Sequence, residues 1–279
     1  MISREQLMDA YRAACRAEIE ALKPGNVHVF ADGHRMSAAQ FLTSADVSAA
    51  PLCEPGRPVG QRILAAIRAT REAVATNTNL GIVLLAAPLL AAAERPGPDL
   101  RANLRTVLEN LDMDDAAAVF SAIALASPGG LGTAENDVRE APRIGLLDAM
   151  AEAADRDMIA SQYVSGYEAI FDTGLAAWRA ATSRGESGMW PTVAVYMAFL
   201  SDFPDSHVAR KHGLDVAADV RREARTVAAE LSGLSGDETR ISLLTEFDRR
   251  LKARGINPGT SADLTVACLL GQGLSQRLA

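Results

Sequence analysis

Five short segments of this chain combine turn-forming residues with side chains able to hold anions or metal ions. The first is Lys23-Pro24-Gly25-Asn26-Val27, which sets one of only three lysines at a Pro-Gly turn. A basic residue followed by Pro-Gly serves as a helix stop, and it serves equally as an anion contact. Just upstream, Glu18 falls on the same helical face as Tyr11, Cys15 and Leu22. A carboxylate on an apolar stripe needs a partner, which is either a salt bridge at the edge of the stripe or a metal ion. The second segment, Asn77-Thr78-Asn79-Leu80-Gly81, precedes the most apolar run of the sequence. Capping accounts for one asparagine. The other amide is placed to hold phosphate or ribose hydroxyls at a helix N-terminus.

The third segment carries Gly129, Gly130 and Gly132, followed by Asn136 and Asp137. It is either a flexible loop or a stretch of backbone N–H groups that approaches a ligand closely. In the fourth, Asp155-Arg156-Asp157 lies between alanines and Ile159 inside an expected helix from Ile144 to about Gly166. An acidic run is usually a solvated face. Small apolar neighbours suggest close packing instead, where carboxylates carry Mg²⁺. The fifth is a late pair. His207 to Gly213 concentrates Arg210, Lys211 and two histidines, which suits an exposed basic turn or a polyphosphate site. Asn257 to Leu264 contains Thr260 and Asp263, spaced as a capping box, so Asp263 has a structural role and room for a second.

The elements that position these segments read as helices throughout. Alanine is abundant, and no run of alternating apolar residues reads as a strand. Ser3 and Gln6 form a capping box that opens a helix from Arg4 to about Leu22. About twelve such helices are expected, as one all-α domain spanning residues 1–279. Standard catalytic signatures are missing. No lysine sits in a G-K-[ST] phosphate loop, no third glycine completes Gly130-Leu131-Gly132, and neither H-E-x-x-H nor G-x-S-x-G occurs.

The 279 residues are 48% hydrophobic and 23% charged, with a formal net charge of −7. That acidity argues against coating nucleic acid, whose affinity comes from neutralised phosphates. The apolar run Leu80 to Ala93 is too short for a bilayer, which needs roughly 20 residues. Three widely spaced cysteines suit reduced thiols, so the expected setting is the cytoplasm, with no membrane partner. Spacing alone points to a helical enzyme for a phosphorylated, nucleotide-like substrate with a divalent cation.

The order K-P-G-N-V, S-A (Ser44-Ala45), N-T-N-L-G, P-G-G-L-G with D-V, A-A-D-R-D-x-I-A and N-P-G-x-S-A-D-L resembles the triphosphoribosyl-dephospho-CoA synthase family, from about Cys15 to Leu270. Thr260 departs from the glycine of the family pattern, and D-S-H-V-A-R-K-H-G resembles a stand-alone branch from C1-metabolism organisms. The resemblance implies transfer of the triphosphoribosyl group of ATP to a hydroxyl of 3′-dephospho-CoA, with release of adenine. The glycosidic bond inverts through an oxocarbenium-like transition state.

It further implies Asp155, Asp157 and Glu18 as catalytic carboxylates and Asp155, Asp157 and Asp263 as Mg²⁺ ligands. Lys23, Arg210 and Lys211 are the expected triphosphate contacts. Asn26, Asn77 and Asn79 are expected at ribose or base, with Gly129, Gly130, Gly132 and Ser261 as further binding positions. Other readings stay open: ribosyl phosphate transfer to another acceptor such as a pterin-type coenzyme precursor, a helical Mg-dependent nucleotide or ADP-ribosyl hydrolase, or a non-enzymatic nucleotide-binding protein. A homodimer is compatible with each of them.

Overall fold

Proline inside a helix leaves a carbonyl without its donor, and the central helix of this protein contains one. The computed structural model describes residues 2–31, 36–127 and 140–279. The expected contacts at Gly129, Gly130 and Gly132 lie outside the described residues. The helices are α1 (Arg4–Glu20), α2 (Ala38–Leu52), α3 (Val59–Val74), α4 (Leu80–Ala93), α5 (Leu100–Glu109), α6 (Met113–Ala126) and α7 (Leu146–Ala153). They continue as α8 (Met158–Ser165), α9 (Leu175–Ser183), α10 (Trp190–Asp202), α11 (Ser206–His212), α12 (Leu214–Gly233), α13 (Asp237–Ala253) and α14 (Gly259–Leu278). A π-helical turn, Ala169–Gly174, leads into α9. Among the described residues there is no strand, only one antiparallel bridge between His28 and Ala31. The all-α expectation holds, in one helical domain.

Helix α4 is apolar around its whole circumference and buried along nearly all of its length, as such a helix must be. Pro88 removes the N–H that Leu84 O would accept four residues back. Tyr163 on α8 supplies the missing donor, its Oη lying 2.7 Å from Leu84 O. Tyr167 Oη donates to the next carbonyl, Leu85 O, at 3.1 Å. Both tyrosines are fully buried, so α8 and the turn after it dock on α4 through two hydroxyls aimed at one weakened turn.

Buried apolar side chains form two clusters. The larger joins α1 to α6 with one face of α14. The smaller gathers α10, α12 and α13 with Ala21 and Leu22 at the end of α1. Helix α10 serves both, giving Val195 and Phe199 to the first and Tyr196 and Leu200 to the second.

Among the described residues there are fourteen α-helices, two more than the twelve expected. One is α11, formed by the basic stretch and capped by Asp205, whose Oδ1 accepts from Val208 N. The other arises because the helix expected from Ile144 to Gly166 breaks at residues 154–157. Asp157 ends the continuity. It is the N-cap of α8, and its Oδ1 accepts from Ile159 N at 2.8 Å and Ala160 N at 3.2 Å, a competing local bond that starts a new helix.

Replacing Tyr163 by phenylalanine strands the Leu84 carbonyl in the core. Tyr163→Phe is expected to cost about 1–3 kcal/mol, read as a lowered midpoint in chemical denaturation at unchanged m-value.

Candidate active site

The turn after α1 docks against the turn before α14. Gly25 has φ +83°, and a Cβ there would lie 2.8 Å from Pro258 Cδ and 2.9 Å from Leu251 Cδ1. No other residue type fits both the backbone and the gap. Three further bonds hold the turn. Gly25 N donates to Asp248 Oδ1 at 2.8 Å, Tyr196 Oη donates to Pro24 O at 2.7 Å, and Asn26 Nδ2 donates to Asn257 Oδ1 at 2.9 Å. Asp248 is itself held by Lys252 at 3.1 Å and lies 3.4 Å from His28 Nε2. Burial works to raise its pKa, yet these contacts keep the carboxyl below the usual carboxylate range.

Beside this seam opens a cavity of about 770 Å³, within the size range of small-molecule sites. It draws on every described segment singled out in the sequence: Glu18 and Asn26, Asn77, Asp157, Arg210 and Lys211, and Asp263 all line it. Its character changes with depth. Glu18 is buried and Asp263 half-buried, whereas Arg156 and Lys211 stand exposed at the mouth. One wall is apolar, built from Phe120, Ile123, Leu146 and Met150.

The three cavity carboxylates from the sequence reading differ in what they have left to offer. Glu18 is ion-paired with Lys23, both side chains almost completely buried. Burial raises the Glu18 carboxyl and lowers the Lys23 ammonium, while their mutual attraction opposes both shifts. Asp157 is occupied, one oxygen by the α8 cap and the other by Arg210 at 2.9 Å. Asp263 carries no hydrogen bond or ion pair from any described residue. Its carboxyl rests on the second residue of α4: a Cβ on Gly81 would lie 2.0 Å from Asp263 Oδ2. Burial, then the nearby negative charges of Glu18 and Asp205, push its pKa well above the usual carboxylate range, with Arg210 pulling the other way.

Several expected contacts prove to be supports. Lys23 does not reach the cavity. Its ammonium meets Glu18, Asn26 Oδ1 at 3.2 Å and Val27 O at 2.6 Å, which uses its three donors. Asn79 lies behind the wall, its Nδ2 donating to Thr70 Oγ1 at 3.1 Å, while Asn77 provides the helix cap through Leu80 N. Ser261 donates both its N–H and its hydroxyl to Asp205, at 2.7 and 2.8 Å. The Thr260–Asp263 capping box does not form. Helix α14 already begins at Gly259, so Thr260 is inside it, accepting instead from His207 N at 3.1 Å.

Asp155 is exposed on the turn between α7 and α8 and does not line the cavity. The trio Asp155, Asp157 and Asp263 therefore makes no shared metal site. Among the described residues no group of three or more His, Cys, Asp or Glu side chains is placed to hold a metal ion. The polar cavity residues that the sequence did not single out include Arg156, His207, Asn257 and Thr260, all within segments already named, and Thr76 and Glu152 just outside them. The roles of Asp205, the first residue of the D-S-H-V-A-R-K-H-G stretch, and of Asp248 were invisible, because each acts on a turn 56 or 223 residues away.

The family model described as CitG: ATP:dephospho-CoA triphosphoribosyl transferase matches residues 4–279. The chain belongs to the CitG family. It also resembles the crystal structure of a protein from Archaeoglobus fulgidus assigned as a triphosphoribosyl-dephospho-CoA synthase, with a TM-score of 0.66 and 26% identity over 83% of this chain and 98% of that one. No curated protein matches the chain significantly. As a CitG-family transferase, the enzyme moves the triphosphoribosyl group of ATP to dephospho-CoA. No helix among its described residues is long and apolar enough to cross a membrane.

A methyl group on residue 81 must displace the Asp263 carboxyl. Gly81→Ala is expected to lower turnover about 100-fold with the helical circular dichroism spectrum retained. Asp155→Asn, in the same steady-state assay, is expected to stay within about twofold of the parent, as exposed substitutions usually do.

Proposed function

We propose that this CitG-family transferase seats ATP with its triphosphate at the cavity mouth, against Arg156, Arg210 and Lys211, and its ribose C1 beside Asp263 and Glu18. The charges support this orientation: Arg156 and Lys211 stand exposed at the mouth beside Glu152, whereas Glu18 is buried at the inner end. The apolar wall of Phe120 and Met150 suits the purine that departs. The triphosphate is carried over intact. The chemistry is confined to C1, where the bond to adenine breaks and a bond to the acceptor oxygen forms.

One observation carries the residue assignment: Asp263 alone among the three cavity carboxylates from the sequence reading has no hydrogen bond or ion pair from a described residue. We assign it the proton of the dephospho-CoA hydroxyl as that oxygen attacks C1. Its raised proton affinity makes it a stronger base than a solvated aspartate. Glu18 adds negative charge beneath a transition state in which positive charge grows at C1. The structural role of Lys23 is then to keep Glu18 ionised in a buried position.

Mg²⁺ enters this reading as part of the Mg–ATP substrate. Such an ion is held largely by the phosphates and water, since Asp157 is taken up by the α8 cap and Arg210, and Asp263 is assigned to the reacting carbon. Bound there, it offsets the charge of the triphosphate. The buried free thiols Cys15, Cys53 and Cys268 support a reducing, cytoplasmic setting, and burial pushes the Cys53 thiol up to about 12, which leaves it unreactive.

A second reading grows from the same raised proton affinity, with Asp263 holding its proton at rest and giving it to the departing adenine. The pH profile separates the two. A base must be deprotonated, so kcat/KM rises with pH through the elevated Asp263 pKa; an acid gives the opposite slope. We expect the rising limb, displaced upward from the ordinary carboxylate range. In an adenine-release assay with ATP, Mg²⁺ and dephospho-CoA, Asp263→Asn is expected to lower kcat by roughly 10²–10⁴-fold and to abolish that limb. An unchanged profile in this variant overturns the assignment.

A further inference from the structure

Three side chains form a chain of fixed polarity that runs from the buried ion pair to the cavity wall. It begins at Lys23, whose ammonium can only donate. The Asn26 atom facing it at 3.2 Å must therefore be the carbonyl oxygen. The Val27 N–H, 2.8 Å from the same oxygen, imposes the same choice. With Oδ1 taken, Asn26 presents its Nδ2 to the opposite side, where it meets Asn257 Oδ1 at 2.9 Å and Pro258 O at 3.5 Å. Asn257 must in turn offer its oxygen to Asn26. Its Nδ2 is left on the far side, with no acceptor among the described residues. Asn257 is only 7% exposed, and it lines the cavity. An amide donor left open on a cavity wall is placed to bond an oxygen of whatever occupies that cavity.

We infer that Asn257 is a substrate-binding residue whose Nδ2 donates to an oxygen of the sugar-phosphate part of a bound substrate, and that Asn26 and Lys23 are positioning residues that fix the direction of its amide. Only the identity of the ligand rests on the proposed seating of ATP and dephospho-CoA. Both substrates offer ribose hydroxyl and phosphate oxygens, and both are tested. The pairing also explains why the turns after α1 and before α14 each contain an asparagine. The first selects the orientation and the second uses it.

An isosteric change one residue behind the proposed contact tests the relay. In Asn26→Asp both side-chain oxygens accept, so Lys23 and Val27 keep their partners. Asn257 must then rotate its amide to donate to residue 26, turning its oxygen toward the cavity. Asn257→Asp places an acceptor at the same point directly, and Asn257→Ala removes the donor without adding charge.

Binding is read by calorimetry with Mg–ATP alone and with dephospho-CoA alone, so that no turnover occurs. The expected result is that Asn26→Asp and the residue-257 variants weaken the same one of the two ligands, by about tenfold or more, and leave the other unchanged. Loss in the residue-257 variants alone overturns the relay. Loss in Asn26→Asp alone overturns the contact, and loss of both ligands or of neither overturns the whole inference. Asn257→Ala stands in should Asn257→Asp fail to fold, as judged by its melting curve. Failure of the transfer assignment shows differently, as unchanged binding without adenine release.

Discussion

An amide in one turn grips an amide in another 231 residues away, and the geometry of the cavity follows from that grip. The first turn is closed by Asn26 N donating to Lys23 O at 3.0 Å, and the amide pair fastens it to the second. The fit is close enough that Gly25 has no room for a side chain. Supports converge on the same place from three further elements: Asp248 from α13, Tyr196 from α10 and the Glu18–Lys23 pair from α1. So many polar groups can be buried together because almost every one has a partner. Asp263 and the Asn257 amide nitrogen, with no partner among the described residues, line the cavity.

This arrangement separates two kinds of polar residue that look alike in a sequence. Asn79 and Ser261 occur in the same motifs as Asn77 and Asp263, and Lys23 in the same motif as Asn26, yet Lys23, Asn79 and Ser261 hydrogen-bond inside the protein. Support and contact alternate within single turns. That alternation is a consequence of turns packed on one side and open on the other. It gives each cavity residue a neighbour that holds it in place, and precise placement is what a displacement at a sugar carbon requires.

The helical architecture was legible because apolar periodicity and caps are local. Ser3 with Gln6 behaves as its spacing implies. The break before α8 was harder to read, since Asp157 lies within residues that favour a continuous helix and only its capping bonds interrupt them. The segments of the site were legible as segments, for turns that carry Lys, Asn and Asp beside glycine stand out in alanine-rich sequence. Individual roles were not. Whether Asp155 or Asp157 faces inward depends on where a helix stops. Whether Asp263 caps or catalyses depends on a start shifted to Gly259. Both are matters of a residue or two, below the grain of a periodic pattern.

The two apolar clusters meet along the cavity, which touches Leu84 and Leu146 of the larger and Ala262 of the smaller. A nucleotide seated there bridges two hydrophobic nuclei that otherwise share chiefly α10, α14 and the end of α1. Its binding free energy is thereby divided between them, and by mass action each is stabilised by occupancy of the other's boundary. Occupancy of the cavity therefore ties the two nuclei together thermodynamically.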